Sequence, residues 1–250
     1  MFLRVFCLCF CLLSLVGCGE KEKQSGPKPL IVMTSPDQPP FEFKDTANGG
    51  DTVIGFDMDI IHEIGRRLGR PVQIVETDFA GIVPALQAGR ADMGISDLSA
   101  TEERRKSVDF SDPYYTDNKA LLVLENSTIS SEEDLNDKKI GAQLGSTNAT
   151  LAQKWAASMP GLSVVALGKV GDLVQELKNE RIHAVLVTDT TARKIFNSTP
   201  GLKIIGLKKT EGGPSAIAFP KGSSLVAPTN EALKAMKVDI EKFEQKWFTQ

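Results

Sequence analysis

Histidine, tyrosine and tryptophan are scarce in this 250-residue chain, two of each. His62 falls inside a helical pattern and His183 just before a strand, which leaves little material for imidazole acid–base chemistry or metal ligation. No Gly-x-Ser-x-Gly, phosphate-cradling glycine loop or metal-ligand spacing occurs either. Charge is mixed, 29 basic against 32 acidic residues, with no basic stripe and no interleaved aromatics, so nucleic acid is excluded as a partner. Cysteine stops at position 18, with the others at 7, 9 and 11. A folded part beyond that point has neither a disulfide nor a cysteine metal site to rely on.

Long apolar runs are missing as well, except at the front. Residues 1–17 carry Arg4 followed by an apolar stretch from Val5 to Val16, too short for a membrane span and typical of a signal peptide. Leu15-Val16-Gly17-Cys18 resembles the bacterial lipobox, which implies cleavage before Cys18, lipidation of its thiol and a membrane anchor outside the cytoplasm. After Cys18, residues 19–29 are Glu, Lys, Gln, Ser, Gly and Pro without apolar periodicity, so that 18–29 read as the lipidated cysteine and a solvated tether. The remaining 220 or so residues suit one large or two modest domains.

Strand and helix patterns alternate from residue 30 onward, predicting an α/β protein with mainly parallel sheet. Strands are expected at 30–34, 71–75, 92–95, 139–142, 163–166, 184–187 and 203–206, with a short apolar segment at 216–219. Helices are expected at 55–68, from Phe79 to Gly89, from Gly145 to about 157, at 172–179, and as one closing helix at 228–248. Asp57 and Asp59 fall in the first turn of the first helix, where acids suit the dipole, and Gly69 stops it. The proline-rich turn after residue 35 is not expected to continue a sheet. Residues 114–118 and 210–215 break the rhythm. The helix-end, Arg, strand pattern at 86–95 recurs at 177–186, so two similar halves would face each other across a cleft at their strand ends.

The stretch from Ile95 to Tyr115 concentrates the chemistry. An apolar run gives way to Ser96, Asp97, Leu98 and Ser99, then Thr101 caps a short helix carrying Arg104. Unpaired N–H groups at a helix start beside a guanidinium fork suit a carboxylate. From spacing alone a solvated helix start with Arg104 as a surface charge is the leading alternative. Asp189, just past a strand, reads as a helix N-cap or as an acid facing the cleft, and Phe79 as core or as a cleft face.

Taken together these segments resemble the family 3 extracellular solute-binding proteins, the polar amino-acid receptors of ABC importers. The resemblance rests on Gly55-Phe56-Asp57-Met58-Asp59-Ile60, on Ser99 to Arg104 with Val108 to Tyr114, and on Gly145-Ser146-Thr147 with the Asp189 segment. It implies a two-lobed, type II periplasmic-binding-protein-like fold. Lobe 1 would comprise 30–114 and 216–250, lobe 2 residues 119–209, with hinges at 114–118 and 210–215. It also implies a monomer at the cell surface or in the periplasm, no cofactor, and a permease as partner. By the same resemblance, Arg104 takes the ligand's α-carboxylate with N–H groups at Ser99 and Thr147. Asp189 takes the α-ammonium, and Phe79 flanks the side chain. Ser35, Asp37, Ser96, Asp97 and Leu98 complete the expected contacts.

Two departures from the family pattern bear on specificity. Gln38 stands where a stacking tyrosine is common, and Asp97 where a small residue is usual. A carboxylate closed into a cleft needs a positive partner, since stripping one member from a buried pair costs roughly 3–5 kcal/mol. A cationic ligand side chain is therefore expected, arginine before lysine or ornithine, met by Asp97 or Asp37. The alternatives are Asp97 in solvent, a receptor for another polar amino acid such as glutamine, and a cyclohexadienyl dehydratase-like enzyme on the same scaffold. A surface protein with a vestigial cleft is the remaining one.

Overall fold

A computed structural model describes residues 26–45, 50–207 and 213–249. The expected signal peptide, Cys18, most of the tether and positions 210–212 of the second hinge lie outside the described residues.

The chain opens with β1 (Leu30–Thr34), β2 (Asp37–Gln38), β3 (Glu42–Lys44) and β4 (Val53–Ile54), followed by α1 (Phe56–Arg67) and β5 (Val72–Glu76). A 3-10 turn at Phe79–Gly81 runs into α2 (Ile82–Gln87), then come β6 (Met93–Gly94), α3 (Glu102–Arg105) and β7 (Val108–Phe110). Crossing residues lead to β8 (Lys119–Leu124), β9 (Lys139–Gln143), α4 (Thr147–Ala156), β10 (Ser163–Leu167) and α5 (Val170–Lys178). β11 (Ala184–Thr188), α6 (Asp189–Ser198) and β12 (Leu202–Gly206) complete that half. The chain then returns through β13 (Ala218–Pro220), α7 (Val226–Ala235) and α8 (Lys237–Phe248).

Two five-stranded sheets result, ordered β5-β1-β6-β13-β7 and β10-β9-β11-β8-β12, and we refer to them with their helices as lobes 1 and 2. Both are mixed rather than mainly parallel. The strand that has just crossed between lobes runs against its neighbours: β8 is antiparallel to β11 and β12, and β13 to β6 and β7. Each lobe buries its own apolar side chains, with Ile60, Ile61, Ile64 and Met93 in lobe 1 and Leu121, Ile140, Ala184 and Leu186 in lobe 2, all fully enclosed. Solvent exclusion of such surfaces supplies the cohesion of each half.

Two local expectations need correction. The proline-rich turn does enter a sheet, because Asp37 and Gln38 pair with Phe43 and Glu42 in a three-stranded meander. The closing helix is two helices, broken at Met236 (φ −109°, ψ 20°), whose side chain is fully buried. Neither a glycine nor a proline marks that break. Asp57 does stand in the first turn of α1, and it is fully buried there beneath Asp97.

The two crossings meet at Ser215, which accepts from Tyr114 N (3.0 Å) and donates its N–H to Tyr115 O (2.9 Å). Both tyrosines of the chain are therefore spent on the joint. The Tyr115 ring packs on Phe41, Phe56 and Phe248, with centroids 4.9–5.5 Å away, and its hydroxyl pairs with Thr190 of lobe 2 at 3.1 Å. Aromatic rings packed edge-on or tilted, with one polar tip, make this joint a braced pivot between the two sheets.

Candidate functional site

Arg104 is the third residue of α3, a single turn whose cap is Thr101: its hydroxyl accepts from Arg104 N at 3.2 Å. The guanidinium lies 5.3 Å from the centroid of the Phe79 ring and donates to Ser99 O (2.7 Å) and, across the cleft, to Gly145 O (3.0 Å). Both partners are neutral carbonyls. Burial lowers the Arg104 pKa to about 10, with Asp97 pulling the other way. A desolvated guanidinium without a bonded counter-ion is a site for an anion.

Asp97 sits beside it at φ 44°, the left-handed region that Asp tolerates better than most side chains. That turn is held from behind, as Asp97 N donates to Asp57 Oδ2 at 2.8 Å. Its carboxylate accepts from Gln38 Nε2 (2.8 Å) and Ser215 Oγ. Burial pushes its pKa up to about 7, helped by the Asp57 and Asp117 charges and opposed by the Ser215 bond and the Lys119 charge.

Asp57 is in turn held by Tyr114 Oη, 3.0 Å from both of its oxygens, and burial raises its pKa to about 6. Glu42, fully buried next to it, is pushed well above the usual range by burial and by the Asp57 charge. Ser96 Oγ donates to Glu42 Oε1 at 2.8 Å, while Oε2 has no other bonded partner.

Lobe 2 supplies the opposite wall. Ser146 caps α4, accepting from Ala149 N at 3.1 Å, and presents Thr147 at the helix start. Lys119 Nζ bonds Thr147 Oγ1 (3.2 Å) and Asn148 Oδ1, and burial lowers its pKa. On the crossing segment, Asp117 accepts from Thr190 N (2.9 Å) and Asn118 N (2.7 Å), and burial raises its pKa.

A cavity between the lobes is lined by Phe79, Asp97, Ser99, Arg104 and Thr147 among the residues singled out from the sequence. Ser35, Ser96 and Leu98 are buried behind that lining, at 2%, 0% and 1% exposure. Asp37 lies to one side, bonded across the cleft to Gln143 Nε2 (3.0 Å) and Val170 N (2.7 Å). Asp189 is outside the lining: as the first residue of α6 it accepts from Arg193 Nε at 2.7 Å. Sequence reasoning passed over Asp117 and Lys119, which do line the cavity. Side chains two apart on an extended crossing point to one face, so the Asp-x-Lys spacing just after the paired tyrosines was the available signal.

Residues 30–250 match the model of the bacterial extracellular solute-binding proteins, family 3. The chain belongs to that family. Among its relatives, the arginine-binding extracellular protein ArtP of Bacillus subtilis is 36% identical over 94% of this chain and 93% of its own. A probable histidine-binding protein of Campylobacter jejuni is 34% identical over 97% and 98%. A solved ancestral arginine-binding protein bound to arginine superposes with a TM-score of 0.82 at 40% identity, covering 88% of this chain and 98% of that one. As a family 3 member this chain is a type II binding protein, a receptor for solute rather than an enzyme. Neither histidine lines its cleft, and no helix among the described residues is long and apolar enough to cross a membrane.

Proposed function

We propose that this protein captures a basic amino acid, arginine first, between its two lobes outside the cytoplasm and hands it to an ABC permease. The observation that carries this reading is the charge layout of the cavity: a half-buried guanidinium bonded only to carbonyls, with the two acids Asp97 and Asp117 in the same enclosure. A ligand carboxylate replaces the carbonyls on Arg104. The α-ammonium and a side-chain guanidinium then have one acid each, so Asp117 takes the place first given to Asp189. Phe79 offers its ring to the ligand's apolar stem. The names of the relatives support arginine or histidine.

Closure follows from contacts that exist only when the lobes meet, such as Arg104 to Gly145 and Asp37 to Gln143. The protein acts as a monomer held to the membrane by lipid on Cys18, which mass analysis of the processed amino terminus would reveal. Calorimetry with arginine, lysine, ornithine, histidine, glutamine and glutamate tests the ligand. Arginine binding most tightly is the expected result, and glutamate or glutamine ahead of it would end the basic-ligand reading. A neutral amino acid is the second reading, favoured by Lys119, whose charge adds to that of Arg104 in the cavity, and by an ancestral arginine-binding protein solved with glutamine, 40% identical to this chain.

A further inference from the structure

Lys119 has no role in the basic-ligand reading above, yet it lines the cavity. It opens β8 on the lobe 2 wall, is 4% exposed, and among the described residues forms no ion pair with any carboxylate. Burying an ammonium without a bonded counter-ion is costly, and its two partners are uncharged oxygens of Thr147 and Asn148. Those residues are the first two of the ten-residue helix α4, whose leading N–H groups face the same end. Arg104 arrives there from the opposite lobe, through its bond to Gly145 O, two residues before Thr147. Two cations from two lobes thus converge on residues 145–148 and repel each other in the process.

We propose that Lys119 is the second cation of a carboxylate clamp, the ligand's α-carboxylate lying between Arg104 of lobe 1 and Lys119 of lobe 2 at the start of α4. This rests on the amino-acid-receptor reading and deepens it. A carboxylate at that point turns a repulsive pair into two attractive ones, but only with the lobes together, so the charge that is recognised also favours the shut state. Lys119 directly follows the crossing residues, and a pull on its side chain therefore acts next to the pivot. Asp97 and Asp117 remain for the ligand's cationic groups, which is the division a basic amino acid requires.

The test uses the full processed chain with Lys119→Met and Lys119→Gln, the second keeping a donor for Asn148. Arginine and arginine methyl ester are titrated by calorimetry, and the melting of the ligand-free protein is recorded. The clamp predicts arginine weakened 10- to 100-fold in both variants, ester binding changed less than threefold, and a ligand-free melting temperature unchanged or higher. Arginine binding within twofold of wild type in both variants overturns it. So does an equal loss for arginine and ester, or a ligand-free melting temperature that falls in step with affinity, since that marks a structural lysine. A wild-type protein that binds no amino acid overturns the receptor reading itself, whereas normal binding that survives both substitutions overturns the clamp alone.

Discussion

Asp37 of lobe 1 and Gln143 of lobe 2 are joined across the cleft, Gln143 Nε2 lying 3.0 Å from Asp37 Oδ2 and 3.2 Å from Oδ1. The same carboxylate takes Val170 N–H at 2.7 Å, at the start of α5, and Ser35 Oγ at 2.7 Å steadies it from its own lobe. We infer that Asp37, which lies outside the cavity lining, latches the shut state. Asp37→Ala should shift the ligand-free protein toward open forms, seen as a larger radius of gyration in solution scattering. It should weaken amino-acid binding about tenfold, the equivalent of one or two hydrogen bonds. Unchanged scattering together with unchanged affinity would remove the latch.

Arg104 contributes little to holding the fold, because its guanidinium is desolvated and bonded to carbonyls instead of a carboxylate. Arg104→Ala should abolish amino-acid binding, at least 100-fold by calorimetry, while the melting temperature of the ligand-free protein stays within about 2 °C of wild type. Retained binding would show that the anion site has been placed on the wrong residue.

The alternation of β and α patterns was legible because each element carries its own period and stop signal, as at α1, which ends at Arg67 with Gly69 in the left-handed region (φ 64°). The helix start at Arg104 was legible for the same reason, since its cap is local chemistry. Features made by residues distant in sequence were not. Asp57 looks like any first-turn acid until Tyr114, 57 positions later, closes over it. Asp189 and Thr188 are adjacent, and which of them faces the cavity depends on where β11 ends and α6 begins; the structure turns Thr188 inward and gives Asp189 to Arg193. Met236 breaks the closing helix through packing alone, with no local signal to read.

Gly55 opens α1 at φ 137°, a conformation that L side chains avoid, and a Cβ there would stand 2.1 Å from Phe41 O. The close approach lets Phe56 N reach Pro40 O (3.0 Å) and Asp57 N reach Phe41 O (2.9 Å), tying the helix start to the meander. Gly55→Ala should therefore destabilise the protein by about 3 kcal/mol or more in denaturant titration, from backbone strain plus displacement of the 40–41 segment. A loss below about 1 kcal/mol would mean that the segment yields without cost.

The acid group behind the ligand loop makes stability and binding respond to pH in opposite senses. Asp97 titrates near 3.8 in an unstructured chain and at about 7 in the folded one, chiefly because it is buried. Between those values the folded protein holds a proton that the unfolded chain has released, so stability of the ligand-free protein falls as pH rises from about 4 to 7 and levels off above. The amount is on the order of a few kcal/mol. A ligand cation needs the ionised form, and binding below pH 7 must therefore expel that proton. Affinity should rise from pH 5 to 7, by at most about tenfold per unit for one proton, and flatten beyond. Calorimetry at pH 6 in buffers of different ionisation enthalpy should register the released proton. Asp57, at about 6, and Glu42, raised well above its ordinary range by burial, share the enclosure and add their own slopes, while Asp37 and Asp117 are raised by burial and Lys119 and Arg104 face Asp97 as cations. Asp97→Asn separates its part: the ligand-free protein should become more stable than wild type at pH 8, with the proton release and most of the affinity gone. A variant that still releases a proton on binding would assign the titration to Asp57 instead.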